Sequence, residues 1–150
     1  MIIDPTHTYT ASRAWFSVTV AWVFAQLVKV LIGALREKRF NFRYLMAQGG
    51  MPSTHSAAVA ATSTAVGFYY GFGSIPFGVV CVFSLIIMFD AAGVRRAAGR
   101  QASLLNKIME DLYTRGQVPE KRLKELLGHT PVEVFVGAAL GILIVYLLHS

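Results

Sequence analysis

From Ala14 to Gly33 the chain reads AWFSVTVAWVFAQLVKVLIG, with Lys29 as its single charge. A helix over this stretch rises about 30 Å, the thickness of a bilayer's hydrocarbon core. Three more apolar segments follow, at about Ser56–Phe72, Ile75–Ala92 and Pro131–Leu148. Each is close to the roughly 17–25 residues that cross a membrane as a helix. The stretch from Ser56 to Phe72 is short and rich in Ala, Ser and Thr, so its expected place is inside a bundle, away from lipid. With 55% hydrophobic and 15% charged residues in 150, the composition excludes an ordinary soluble domain. The expected fold is an all-α integral membrane helical bundle of about four transmembrane helices, one membrane-embedded domain over residues 1–150.

The formal net charge of +6 is unevenly placed. Arg36, Lys38, Arg39 and Arg43 follow the first segment, and Arg95, Arg96, Arg100, Lys107, Arg115, Lys121, Arg122 and Lys124 lie between the third and fourth. Four crossings, with a tight turn from Gly71 to Ser74, put both basic loops on one side, and the positive-inside tendency makes that side cytoplasmic. The expected location is the cell (inner) membrane with its functional face inward. Nucleic acid is a poor partner for this charge, since no aromatic base-stacking pattern accompanies it.

The polar stretch 95–130 has an apolar periodicity of its own. Leu104, Leu105, Ile108, Met109 and Leu112 recur at helical spacing opposite Asn106, Lys107 and Glu110, which predicts an amphipathic helix on the membrane surface. A second, shorter one is expected from Pro119 through Leu127, with Gly116 as the break between them. Gly67 with Gly71, and Gly137 with Gly141, have the G-x-x-x-G spacing of close helix contacts, favouring packing within the chain over a homodimer seam. Cys81 reads as a small buried apolar residue. The first residues lack the basic stretch and cleavage site of a secretory signal, so the first segment is expected to stay in the mature protein.

Three helix-end stretches carry candidate chemistry. Lys29 and Arg36, seven residues apart, lie on one helix face about 10 Å apart along the axis and can hold one anion. Gly49-Gly50-Met51-Pro52-Ser53-Thr54-His55-Ser56 combines backbone freedom, a helix start suited to an anion, a Ser hydroxyl and a proton-transferring His. A Ser/Thr helix cap with an incidental His is the ordinary alternative. In Gly128-His129-Thr130-Pro131-Val132-Glu133, His129 and Glu133 share a helix face, where a carboxylate can orient an imidazole nucleophile. A His–Glu pair capping a membrane helix is the ordinary alternative there. Asp90 is expected to pair with a nearby cation, while Arg95 or Arg96 offers a fork for phosphate oxygens. His7 and His149 read as solvated terminal residues.

These stretches resemble the motifs of the type 2 phosphatidic acid phosphatase superfamily. Lys29 to Arg36 fits its K-x6-R, Pro52-Ser53-Thr54-His55 resembles its P-S-G-H, and Gly128 to Glu133 resembles the third-motif G-x-H-x-P-x-D. Gly-Gly-Met-Pro-Ser-Thr-His-Ser with Met88-Phe89-Asp90-Ala-Ala-Gly-Val-Arg95-Arg96 looks like the divergent branch of that superfamily, related to acid phosphatases and vanadium-dependent haloperoxidases. The resemblance implies a phosphatase that works without metal or other cofactor. His129 would attack phosphorus to form a phosphohistidine, His55 would protonate the leaving alcohol, and Glu133 would orient His129. Lys29, Arg36, Ser53, Thr54, Arg95 and Arg96 would surround the phosphate, with Arg100 a competitor for the arginine role. The implied substrate is a phospholipid or isoprenyl phosphate, phosphatidylglycerophosphate or phosphatidic acid on a cytoplasmic face, undecaprenyl pyrophosphate on an outward one. The chain departs from the family pattern at Glu37 for Pro, Thr54 for Gly, and Leu123 where an Arg precedes the third-motif His. Those departures motivate an alternative, a catalytically weakened membrane protein that binds phospholipid or scaffolds a partner. Halide oxidation is disfavoured.

Overall fold

The computed structural model describes residues 10–38, 50–114 and 129–149, and of residues 36, 37 and 94–96 the backbone alone. Within them the chain forms five helices and no strand: α1 (Ala11–Glu37), α2 (Thr54–Tyr70), α3 (Ile75–Ala92), α4 (Val94–Thr114) and α5 (Pro131–His149). The expected second amphipathic helix around Pro119–Leu127, together with Gly49, Gly128 and His7, falls outside the described residues.

Hydroxyl caps set the starts. Thr10 Oγ1 accepts from Arg13 N at α1, Ser53 Oγ from Ser56 N at α2, and Ser74 Oγ from Phe77 N at α3. Each satisfies a backbone donor that a helix start leaves without an intrahelical acceptor. These caps move α2 relative to the hydropathy pattern. It begins at Thr54, because Ser53 is its cap, and ends at Tyr70, because Gly71 leaves the helix at φ 90° while its N–H bonds the Gly67 carbonyl. Ser74 N then donates to Gly71 O, closing the expected turn into α3.

Three helical stretches are long and apolar enough to cross a membrane: Ala11–Leu35 of α1, the run from Ile75 that includes α3, and α5. The chain is an all-α membrane helical bundle. At seventeen residues α2 is shorter, about 25 Å long, and it packs against α1, α3 and α5.

The α2–α5 contact has a defined register. A Cβ on Gly137 would overlap the Ser53 carbonyl, and one on Gly141 would overlap the Ala57 carbonyl. Val145 then joins Ala61 and Ala65 in the buried cluster. Positions therefore advance together along both chains, so α2 and α5 run parallel. Ala14 and Val18 of α1 pack at the Ala65–Phe68 end of α2, whereas Lys29 lies at its start beside Gly50, so α1 is antiparallel to α2. The Ser63–Ser84 hydroxyl contact of 2.8 Å and the Ser84 bond to Val59 O tie α3 to α2, antiparallel after the short turn.

The core is made of small side chains and the outside of large ones. Along α1, Ser17, Ala21, Ala25, Lys29 and Gly33 recur every four residues and are all buried, while Trp15, Phe16, Trp22 and Leu27 face outward. Lipid tails are as apolar as leucine, so burying large apolar groups gains little in a bilayer; close approach of backbones through small residues holds the helices together instead. The Gly137–Gly141 pair does this within one chain, as its spacing predicts. The Gly67–Gly71 pair does not. Gly71 is past the helix end, where an added Cβ would meet open space, and Gly67 packs against the ring of Phe72 in the turn.

At the end of the bundle where α2 and α5 finish, Phe68, Phe72, Phe77 and Tyr146 cluster. Such aromatic groups are favoured at a membrane–water boundary. His149, expected to be solvated, stacks on Phe68 with centroids 3.8 Å apart and is half-buried. A terminal imidazole carried on the last turn of a packed helix is brought onto the ring beneath it.

Candidate functional site

The opposite end of the bundle gathers the starts of α2 and α5 and the ends of α1 and α3. Because α2 and α5 are parallel, both direct their N-terminal partial positive charges to this end. Of the polar residues singled out by sequence, those with described side chains at this end are Lys29, Ser53, Thr54, His55, Asp90, His129 and Glu133.

Lys29 reaches this end through the four-residue register of small buried positions on α1, and is itself 4% exposed. Its Cε lies 3.6 Å from where a Cβ on Gly50 would stand. Gly50 has φ 92°, a conformation that side chains with a Cβ rarely adopt, and it leads through a cis Met51–Pro52 bond into α2. Pro52 and Ser53 are fully buried. Ser53 Oγ accepts from Ser56 N at 3.3 Å and from Ser56 Oγ at 3.0 Å, so the hydroxyl caps α2. Thr54, which stands where the family motif has Gly, is buried, whereas His55 is exposed.

His129 is 1% exposed. Its backbone N–H bonds Ala91 O in the last turn of α3, at 3.2 Å, and its ring meets that of His55 edge to face with centroids 6.3 Å apart. One imidazole is buried and the other exposed, and the two rings stand close enough to act on the same group at this end of the bundle. Glu133 joins α5 to α2, since its carbonyl accepts from Ser53 N at 3.0 Å. Its carboxylate accepts from Thr130 N at 3.0 Å while Thr130 Oγ1 accepts from Glu133 N at 3.3 Å. This reciprocal pair is a capping box with Pro131 in the first helical position. The Glu133 carboxylate also acts electrostatically on the Lys29 ammonium.

The structure thus brings together Lys29, Ser53, Thr54, His55, His129 and Glu133. Arg36 lies in the last turn of α1, and Arg95 and Arg96 in the first turn of α4, just past the Ala91 carbonyl that holds His129. The backbone of all three is thereby near this end. Asp90 is half-buried in the last turn of α3. Two contributors escape a motif reading: Ala91, acting through a carbonyl, and Thr130, whose T-x-x-E spacing with Glu133 was a legible capping signal. Among the described residues no group of three or more His, Cys, Asp and Glu is placed to hold a metal ion.

The Glu133 geometry predicts a split between two substitutions. Glu133→Gln preserves a hydrogen-bond acceptor for Thr130 N and should leave thermal stability close to wild type, whereas Glu133→Ala should lose about 1 kcal/mol with the cap. Both remove a negative charge at the end of the bundle that holds Lys29, so both should bind phosphate analogues differently from wild type. Parallel melting and vanadate-binding curves check this; equal stability of the two variants would show that the capping role is negligible.

A bundle of parallel and antiparallel membrane helices, closed at one end by two histidines, a buried lysine and two helix starts, defines a class of integral membrane protein with a polar head on an apolar body. The chain belongs to the Divergent PAP2 family, which it matches over residues 11–144. It is 42% identical over 139 aligned residues to the uncharacterized membrane protein YuiD of Bacillus subtilis strain 168, an alignment covering 85% of this chain and 88% of the relative. No solved structure matches it.

Proposed function

We propose that the protein is a membrane lipid phosphate phosphatase acting through a phosphohistidine. The observation that carries this reading is the approach of His55 and His129, ring centroids 6.3 Å apart, at the end where α2 and α5 start. Kinship with PAP2 proteins supports it, and the buried Lys29 supplies the charge a phosphoryl group requires.

In this mechanism the headgroup phosphate enters beside exposed His55. A neutral His129 nitrogen attacks phosphorus, the bond to the alcohol oxygen breaks, and His55 as imidazolium gives that oxygen its proton. Neutral His55 then takes a proton from water as the water oxygen attacks the phosphohistidine. The P–N bond breaks, and inorganic phosphate leaves with His129 restored. Lys29, with Arg36 and Arg95 or Arg96, stabilises the charge on the phosphoryl oxygens in both steps. Glu133 holds the first turn of α5, and so the position of His129, through its cap.

The apolar body and polar head favour a substrate whose chains lie between lipids and whose phosphate lies at the interface. The flanking basic residues favour a cytoplasmic face of the cell membrane, and with it phosphatidylglycerophosphate or phosphatidic acid over undecaprenyl pyrophosphate. One domain, 1–150, carries the whole activity in this reading. Purified protein in mixed micelles is expected to release phosphate from at least one of these lipids without added metal, and to be inhibited by vanadate. Inactivity toward all three would abandon catalysis in favour of headgroup binding.

A further inference from the structure

Among the described elements helix α4 contacts none of α1, α2 and α5 and packs only on α3, to which Gly93 joins it. Successive residues advance about 100° around a helix, so Leu104, Ile108, Leu112, Leu105 and Met109 occupy an arc of about 140°. Leu104, Leu105 and Ile108 on that arc are 60%, 48% and 47% exposed. Asn106, Lys107, Glu110 and Arg100 take the other side. The arc is too broad for a two-stranded seam, because Leu104 and Met109 flank it where a coiled coil carries charges.

What covers this face follows from where the helix starts and how it is charged. α3 belongs to a membrane-spanning stretch, and its last turn holds His129, so α4 begins at the membrane boundary on the side of the candidate site. The four cations of α4, Arg95, Arg96, Arg100 and Lys107, precede its two acids, Glu110 and Asp111. Cations next to a span end, on a helix whose apolar face is exposed at Leu104, Leu105 and Ile108 and half-buried at Met109 and Leu112, complement an anionic leaflet. Gly93, at φ −101° and ψ −75°, lies off ideal helical values between the two helices, while its N–H still bonds Phe89 O and its carbonyl accepts from Ala97 N.

We propose that α4 lies in the plane of the membrane at the site's end of the bundle, its leucine face among acyl chains and Arg100 and Lys107 among anionic phospholipid headgroups. It thereby holds a pool of anionic lipid beside the site, whether or not that site is catalytic.

The test uses the full chain, with Cys81→Ser and single nitroxide-labelled cysteines at each position from 101 to 112. The protein is reconstituted in bilayers of phosphatidylcholine alone and of phosphatidylcholine with phosphatidylglycerol. In the anionic bilayer, labels at 104, 105, 108 and 112 should favour oxygen and labels at 103, 107 and 110 a water-soluble nickel chelate, with the apolar positions at one shallow depth. Arg100→Glu with Lys107→Glu should lower the oxygen preference several-fold there and leave it unaltered in phosphatidylcholine. Among the described elements α4 contacts only α3, so labels along it leave the packing of α1, α2, α3 and α5 in place. Chelate access rising steadily toward 112 would mean that α4 projects into water. Spin–spin broadening at 105, 108 and 112 would mean that a second copy covers the face. Either result overturns the proposal.

Discussion

His129→Ala is expected to abolish turnover of the lipid substrate, by at least about 1,000-fold, because a lost nucleophile is not replaced by binding interactions. The bundle should survive it. The backbone N–H bond of residue 129 to the Ala91 carbonyl is kept by alanine, and a melting curve beside the assay separates lost chemistry from the cavity that a buried ring leaves. The companion His55→Ala separates the two roles. A general acid matters in proportion to the basicity of the leaving oxygen, so His55→Ala should form the phosphoenzyme readily from an aryl phosphate, whose phenolate leaves unaided, and hardly at all from a lipid phosphomonoester, while hydrolysis of the phosphoenzyme, which uses His55 as base, is slowed with either. No choice of leaving group should rescue His129→Ala. Brief incubation with radiolabelled substrate followed by alkaline quenching should trap an acid-labile phosphoenzyme in wild type, more of it where water attack is slowed, and none in His129→Ala. A phosphoenzyme in His129→Ala would assign the nucleophile elsewhere.

How far the sequence discloses this arrangement differs between its parts. Hydropathy places the helices well, since nothing but an α-helix or a closed barrel satisfies its backbone in lipid. It misses the frame of α2 by two residues at each end, because a Ser cap and a glycine turn set those limits. The small-residue stripe of α1 was also legible: Ser17, Ala21, Ala25 and Gly33 at intervals of four put Lys29 in the buried row, though a lone lysine near a helix end ordinarily reads as snorkelling. Glu133 is the reverse case. Its spacing from His129 suggests an orienting carboxylate, and the same carboxylate stands three residues from Thr130, where the capping box takes it. Sequence spacing lists the partners a side chain can reach; only the fold chooses among them. The Ala91 carbonyl could not be read at all, because a backbone acceptor leaves no mark on residue type. The Gly67–Gly71 and Gly137–Gly141 pairs look alike in sequence, and what separates them is that only the second lies opposite another helix.

That second pair gives the other large effect. Gly141→Val is expected to drive α5 from α2 and to cost activity and stability together. The obstacle is backbone, since a Cβ at Gly141 meets the Ala57 carbonyl and one at Gly137 the Ser53 carbonyl. A flexible side chain could swing away, but a carbonyl in a helix moves only if the helix does. Overpacking of this kind costs roughly 1–3 kcal/mol in tightly packed interiors. The displacement is also transmitted to the site, because Glu133 O holds Ser53 N at the head of the same contact. A misplacement of about 1 Å in reacting groups lowers rates by on the order of 100-fold. Gly137→Ala, one turn from that bond, should therefore lose activity out of proportion to its stability, whereas Gly141→Val should lose both. Gly78→Ala on α3, with open space around the added methyl, should change neither. Thermal denaturation in detergent beside phosphate release distinguishes the three variants, and a Gly141→Val protein with wild-type melting and turnover would show that α2 and α5 are not in contact through these glycines.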